Sequence, residues 1–297
     1  NTTASNNVGV GHSALEANIT GANNTAIGKN SLAANTAGAG GVAVGMNCLS
    51  ANTTGAENTA VGLSALLLNT TGTQNVAFGS SALDACTTGD FNTGIGTSAL
   101  GAVTTSDYNT AVGRNAGTAI TTGTQNTFVG GLAGDATDDG TNNVAVGFEA
   151  LSANCGSGNT AIGTRAGKTT TADNNTFVGN NAGTAVTTGT NNTALGATAL
   201  DSNTTASNNT AIGRSALGAN TTGAQNTAIG TNALLANTTG TYNTAMGYAA
   251  GAAVTTGIYN TLTGGNVGTA LTVGRENAAF GYNSLVTDTQ GSHSVAV

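Results

Sequence analysis

The chain has 297 residues, of which 6% are charged, and its net charge is −7 with only six Lys and Arg in total. Because six cationic side chains cannot form the basic surface that binding to phosphates requires, we expect no nucleic-acid partner. No apolar run approaches the roughly 20 residues that cross a bilayer, and we expect no membrane insertion in this segment.

A five-residue motif recurs along the whole sequence and sets its period. Asn-Thr-Ala-Ile-Gly at 226–230 is a representative copy, and we call its last residue the marker glycine. Marker glycines follow one another every seventeen residues, apart from two intervals of sixteen that end at Gly163 and Gly179. A short fixed period is typical of a solenoid. The sequence therefore predicts an all-β fold, a parallel β-solenoid or β-roll with about seventeen coils of 17 residues, forming a single repeat domain over 1–297.

The residues before each marker glycine predict a strand of about four residues. They are Asn, then Thr or Val, then usually Ala, then an apolar residue. This alternation, bounded by Asn and Gly, is typical of a strand, and stacked copies would form a parallel sheet. Asn is replaced only in the third repeat, by Gly41.

Amides repeated at strand spacing can hydrogen-bond along the stack and fix its register. The sequence thus predicts a structural Asn ladder, whose members are Asn24, Asn58, Asn75, Asn92, Asn109, Asn126, Asn143, Asn159, Asn175, Asn192, Asn209, Asn226, Asn243 and Asn260.

Four residues after the marker glycine the sequence has either Leu or Gly. Leu234 is followed three residues later by Asn237, whereas Gly251 is followed by Val254. This exchange predicts that one core space is filled from either of two positions, because interiors tolerate neither holes nor overpacking. Leu100 with Val103 departs from the rule, so it is a tendency.

The second half of each repeat predicts a turn, as in Asn220-Thr221-Thr222-Gly223, with Gly223 supplying a positive φ. Both shortened repeats lose their residue in this turn, which fits an exposed loop. The turn also contains Asn-x-Ser/Thr triplets, which are surface glycan acceptors in some secreted proteins and which a repeat of Asn and Thr also produces automatically. The possible acceptors are Asn18, Asn52, Asn69, Asn203, Asn220 and Asn237.

Few residues suggest chemistry. The two histidines, His12 and His293, lie at opposite ends of the sequence, so we expect no enzyme, no catalytic residue and no cofactor. Asp135, Asp138 and Asp139 form the one acidic cluster, which is a candidate Ca²⁺ site or a solvated turn. Three cysteines, Cys48, Cys86 and Cys155, lie several coils apart and are predicted to be small buried residues.

Each repeat offers about two sizeable apolar side chains, which is little for ordering seventeen residues. We therefore expect copies of the chain to associate, most simply along a common axis.

The repeat motif also resembles a known family. Asn24-Thr25-Ala26-Ile27-Gly28 and Ser294-Val295-Ala296-Val297 are similar to the head repeats of the YadA-like trimeric autotransporter adhesins, and to repeats in phage tail fibres and bacterial surface fibres. The resemblance implies a left-handed β-roll, a homotrimer, and a role outside the cell or on a virion. The period of seventeen is longer than the adhesin coil, and the added residues match the Thr-Thr-Gly turn.

We therefore expect a segment of an extracellular fibre, the shaft or binding head of a phage tail fibre or bacterial surface adhesin, cut as a window from a longer protein. It would bind a cell-surface glycan or protein receptor through many weak contacts. The alternatives are a structural surface filament, glycosylated or bare, with no receptor, and an ice-binding solenoid. Candidate contact residues are Lys29, Met46, Arg114, Phe148, Arg214, Tyr248 and Tyr282 after the marker glycines, with Tyr108, Tyr242 and Tyr259 in the turns as sugar platforms.

Overall fold

The computed structural model describes residues 3–297, and within that range every regular element is a β-strand and none is a helix. The chain winds as a parallel β-solenoid of about seventeen coils, as the repeat predicts. Its contacts divide it into two compact units, the first ending at Val146 and the second spanning Gly147–Val297. Among the described residues no helix has the length and apolar character that crossing a membrane requires.

The first unit holds one parallel sheet in which each strand pairs with the next along the chain. Its strands have three residues, one fewer than the sequence pattern predicts. They are β1 Val8–Val10, β2 Thr25–Ile27, β3 Val42–Val44, β4 Thr59–Val61, β5 Val76–Phe78, β6 Thr93–Ile95, β7 Thr110–Val112, β8 Thr127–Val129 and β9 Val144–Val146.

The second unit repeats this arrangement. Its strands are β10 Thr160–Ile162, β11 Thr176–Val178, β12 Thr193–Leu195, β13 Thr210–Ile212, β14 Thr227–Ile229, β15 Thr244–Met246, β16 Thr261–Thr263, β17 Ala278–Phe280 and β18 Val295–Ala296.

Register follows the sequence period, so residues of one repeat position stack on each other. In β14 and β15, for example, Thr227 pairs with Thr244 and Ala228 with Ala245. From β2 to β17 the middle residue of each strand is buried, while the two flanking residues are half-buried or exposed. Because successive side chains of a strand point to opposite faces, the small residue faces the interior and the larger apolar one faces outward. Of the sizeable apolar side chains that each repeat offers, the one at the end of the strand therefore lies on the outer face, and in most coils the strand contributes only Ala to the interior.

The core lies between the strand's middle residue and the corner after the marker glycine. Leu66 and its equivalents at the fourth position after the marker are buried, apart from the half-buried Leu15 and Leu285, and all have φ between 47° and 55°. Glycines at the same position, such as Gly117, have φ between 57° and 60°. This left-handed backbone is one that Gly adopts freely and Leu adopts at a cost. The exchange of Leu and Gly at this position thus reflects the left-handed backbone conformation as well as the volume of the core space that has to be filled.

A third position takes part in filling the core. Phe128, Phe177 and Leu262 replace the inward Ala of β8, β11 and β16 and are fully buried. Each one lies against the glycines that replace Leu in its own coil and in the coil before it. A Cβ added to Gly167, for instance, would lie 2.6 Å from the Phe177 ring. The void left by a missing Leu is therefore filled partly from the strand, which the sequence analysis did not foresee.

The marker glycines have a backbone that no other residue adopts without strain. Their φ values lie between 102° and 141°. At Gly96 an added Cβ would lie 2.5 Å from the carbonyl oxygen of Gly113 in the next coil. Both the dihedral and the close approach of two coils require glycine here.

The turn glycines do not follow the predicted mechanism. Gly223 and its equivalents have no positive φ, so the expectation that Gly223 supplies one is wrong. Glycine is needed because a Cβ would lie 2.6 Å from the Asn220 side-chain oxygen and against the backbone of Gly240. The left-handed residue of this turn is Gln225, with φ 61°.

Candidate functional site

The Asn residues before the strands form a hydrogen-bonded column, which we call the first amide ladder. The column is continuous in the second unit and is interrupted in the first at Gly41, which replaces Asn. The backbone nitrogen of Asn75 donates to the side-chain oxygen of Asn58 at 2.9 Å, and its Nδ2 donates to the Gly89 carbonyl at 2.7 Å. These amides are at most about 1% exposed. Asn7 and Asn277 join the same ladder. The column ties each strand to the turn of its own coil and to the neighbouring strand, so its role is structural.

The turn asparagines form a second amide ladder that the sequence analysis did not identify as one. Asn52 Nδ2 donates to Asn35 Oδ1 at 2.9 Å and to the Gly55 carbonyl at 2.9 Å. The members are Asn18, Asn35, Asn52 and Asn69 in the first unit and Asn203, Asn220 and Asn237 in the second. All are at most 2% exposed. The shared sequence position, seven residues after the marker glycine, was the available signal.

All six possible glycan acceptors belong to this second ladder. Their amide nitrogens donate hydrogen bonds within the ladder or to turn carbonyls and are inaccessible to solvent. N-glycosylation would have to break those bonds. We therefore expect these six asparagines to carry no glycan. Mass spectrometry of peptides from the natural protein tests this, and each peptide that contains one of them should have the mass of its unmodified sequence. A hexose-bearing peptide containing Asn52 or Asn220 would contradict this.

The second ladder is expected to contribute measurably to stability. Asn52→Ala removes two donated hydrogen bonds and the one accepted from Asn69, leaving buried partners unsatisfied, so we expect a loss of about 2–3 kcal/mol. Asn69 is the matched control because it ends the ladder and its side-chain oxygen has no partner. Asn69→Ala removes only two bonds and should cost about 1 kcal/mol less. Equal effects in urea denaturation would contradict the ladder's energetic role.

The outer face of the sheet carries a column of apolar side chains, one from the last residue of each strand. We call it the outer apolar column. Phe78 is 56% exposed, Leu195 46% and Met246 43%. The members are Val10, Ile27, Val44, Val61, Phe78, Ile95, Val112, Val129 and Val146 in the first unit and Ile162, Val178, Leu195, Ile212, Ile229, Met246 and Phe280 in the second, where Thr263 interrupts the column. A column of mostly half-buried Thr or Val side chains runs beside it.

The contact residues predicted after the marker glycines are exposed and share one position in the coil. Tyr282 is 75% exposed and Tyr248 60%, and Lys29, Met46, Arg114, Phe148 and Arg214 are also exposed. They therefore form a variable surface column on each unit.

The turn tyrosines predicted as sugar platforms already stack on neighbouring rings. Tyr108 packs on Phe91 with ring centroids 4.9 Å apart and an interplanar angle of 3°. Tyr242 and Tyr259 stack in the same way at 4.9 Å and 13°. One face of each ring is thus covered by its partner.

The acidic cluster supports the turns. The Asp138 carbonyl accepts hydrogen bonds from the backbone nitrogens of Thr121 and Gly123, and its carboxylate accepts from the Thr121 hydroxyl. Asp135, Asp138 and Asp139 are not brought together as a metal-binding group, and residues 3–297 contain no group of three His, Cys, Asp or Glu side chains placed to hold a metal ion.

The cysteines are free and buried, as predicted. Burial raises the pKa of Cys48 to about 12 and that of Cys86 to about 11. A thiol with so high a pKa is almost entirely protonated at neutral pH and reacts slowly. The two histidines are exposed. His293 lies 3.1 Å from the Glu276 carboxylate on the surface, and His12 accepts or donates a hydrogen bond with Ser13.

The geometry therefore offers two surfaces for function, the outer apolar column and the variable column after the marker glycines. A scan of protein-family models finds no match to this chain, and a search of curated proteins finds no similar one.

Proposed function

We propose that this chain is a non-enzymatic segment of an extracellular fibre, the shaft or binding head of a phage tail fibre or a bacterial surface adhesin, in which three identical chains associate and attach to a cell surface. The single observation that carries the proposal is the outer apolar column. The resemblance of the repeats to trimeric adhesin heads supports the same proposal.

The column is a surface that water disfavours. Soluble monomers rarely expose a contiguous apolar patch larger than a few hundred Å². Here one apolar side chain per coil lies in register with the next, apart from Thr263 in the second unit, so the half-buried and exposed side chains form one stripe in each unit. Burial of this stripe against a partner would add the apolar contact that the small Ala-lined interior lacks.

The partner that fits best is another copy of the same chain. An identical solenoid has the same coil spacing, so every coil can repeat the same contact along the stripe. A homo-oligomer with closed symmetry uses one surface patch on every subunit in this way. Three copies around one axis would bury their stripes together and leave the variable columns outside, where repeated weak contacts with a receptor gain avidity.

Light scattering tests the association. The wild-type chain is expected at three times its 28.4 kDa chain mass. Ile95→Lys places a charge in the stripe and is expected to shift the mass towards one chain, because burial of an unpaired charge is costly. Thr105→Lys is the control, since Thr105 is exposed in a turn away from the sheet. A wild-type chain of single mass would contradict the proposal.

A structural filament without a receptor would also associate, so attachment needs its own test. Labelled wild-type protein is applied to a panel of bacterial cells and to immobilised glycans. The proposal predicts saturable binding to at least one surface, and a filament alone binds none.

Ice binding is a second candidate because the outward face repeats Thr beside an apolar residue at sheet spacing. The apolar residue in the second outward slot distinguishes this face from one that presents Thr twice per strand. Thermal hysteresis of the purified chain would favour this candidate, and its absence would remove it.

A further inference from the structure

The second unit departs from the repeat in one region, where its two sixteen-residue intervals end at Gly163 and Gly179. A groove of about 350 Å³ lies there and is lined by Arg165, Lys168, Asn181, Thr184 and Asp201. Arg165 and Asn181 are each the second residue after a marker glycine, and the other three are each the fifth. The groove therefore crosses three successive coils between two side-chain columns.

The cationic end of the groove is held in place by one carboxylate. Glu149 Oε2 accepts from Arg165 Nε at 3.0 Å and from Lys168 Nζ at 2.6 Å. These two cations hold the pKa of Glu149 below its usual range. The Arg165 side chain is 50% exposed and that of Lys168 36%, against 19% for Glu149. The terminal guanidinium nitrogens of Arg165 have no hydrogen-bond partner within residues 3–297 and so are available as donors.

The opposite end of the groove is an acceptor. Asp201 is partly buried, and this burial raises the pKa of its carboxyl, while backbone hydrogen bonds from Asp201 and Ser202 lower it. A partly desolvated carboxylate gains more from each hydrogen bond that a ligand donates to it. The Asn181 amide and the Thr184 hydroxyl, which donates to the Arg165 carbonyl at 3.3 Å, lie on the remaining walls.

The balance of groups indicates the chemistry of the ligand. Two cations are matched by two carboxylates, so the groove has no excess charge to attract a phosphate. It presents fixed donors at one end, a carboxylate acceptor at the other, and an amide that does both. Its volume is at the lower end of ligand sites, and it is open to solvent, so one unit of a longer molecule fits better than an enclosed ligand. Adjacent hydroxyl groups, each a donor and an acceptor, match such walls.

We infer that this groove binds one neutral saccharide unit of a surface glycan through its hydroxyl groups, with Arg165 and Lys168 donating to sugar oxygens and Asp201 accepting from sugar hydroxyls. The inference rests on the proposed attachment function and names the class of its receptor. In an assembly of several chains each copy contributes one groove, so weak single sites act together.

The test begins with the intact chain on an array of neutral and carboxylated oligosaccharides, followed by titration calorimetry with the neutral oligosaccharide that binds most strongly. Asp201→Asn and Arg165→Gln are each expected to weaken binding at least about tenfold, because each removes a charge-assisted hydrogen bond. Asp84→Asn and Arg275→Gln are the controls. Asp84 occupies the same repeat position as Asp201 in a coil of the first unit, and Arg275 is exposed on another coil, outside the groove and the variable column. Both controls should bind like the wild type.

The outcomes separate the groove from the proposed function. Unchanged affinity in Asp201→Asn and Arg165→Gln, or a signal confined to carboxylated saccharides, would overturn the groove and leave attachment intact. Binding of the chain to cells without binding to any saccharide would likewise overturn the groove and leave attachment intact. A chain that binds neither cells nor saccharides would overturn both. Thermal unfolding of each variant, monitored by circular dichroism, verifies that the fold is retained.

Discussion

Phe128→Ala is expected to destabilise the chain by about 3–5 kcal/mol. Phe128 is fully buried and fills the space left by two glycines at the Leu position. A Cβ added to Gly117 would lie 3.0 Å from its ring, and one added to Gly134 would lie 2.6 Å from the same carbon of that ring. Neither glycine has a side chain that can move into the space, so the cavity would stay open and the lost contacts would not be replaced. Equilibrium unfolding in guanidinium chloride measures the loss.

Phe148→Ala is the matched control for this substitution. Phe148 is 45% exposed and lies after a marker glycine, so its removal should change the free energy of unfolding by less than about 1 kcal/mol. Similar losses for Phe128→Ala and Phe148→Ala would mean that the strand's middle position is not the core position.

Gly96→Ala is expected to cost about 3 kcal/mol or more. Gly96 has φ 128°, which a residue with a side chain adopts only under strain of about 1–3 kcal/mol. The new methyl group would also lie 2.5 Å from the Gly113 carbonyl oxygen and 2.6 Å from its carbon, so two coils would have to separate. Separation weakens the strand pairing of β6 and β7, in addition to the local strain.

Gly101→Ala in the same coil provides the comparison. Gly101 has no positive φ, and the nearest atom to its added Cβ would be 3.4 Å away. Alanine there should be neutral or stabilise the chain by a few tenths of a kcal/mol up to about 1 kcal/mol, because it restricts the unfolded chain. Equal destabilisation by both substitutions would show that the marker position carries no special constraint.

The period predicted the fold class because identical residues recur at one position in every coil. The seventeen-residue spacing indicates which residues stack, and the structure aligns Thr with Thr and Ala with Ala accordingly. The direction of the side chains did not follow from the period. Alternation shows that Ala228 and Ile229 face opposite ways, but the narrow interior decides that the smaller one faces inward.

The left-handed backbone of many residues other than glycine also could not be predicted from the sequence. Up to three residues per coil other than glycine take φ near +55°, including buried Leu residues such as Leu234 at 47°. Leu rarely adopts this conformation, so residue type gives no signal of it. The stacking of coils imposes it, as it imposes the close approach that requires Gly223.

The candidate groove depends on neighbours that are distant in sequence. Glu149, Arg165 and Lys168 share no recognisable motif, and their contact arises because residues of successive coils stack. Asp201 reaches the same groove two coils later. Counting positions from the marker glycine would have placed these residues in two columns. The distances between their charged groups, however, could be obtained only from the structure.

The association of copies through the outer apolar column is tested most directly by the reactivity of a thiol placed in it. Phe78→Cys and Phe148→Cys replace two exposed phenylalanines, one in the column and one outside it. The three native cysteines are buried and contribute little to the early reaction with a thiol reagent. We expect the thiol at position 78 to react at least about tenfold more slowly than the one at position 148, because a neighbouring chain covers it and reactivity requires access. Equal rates for the two would contradict it.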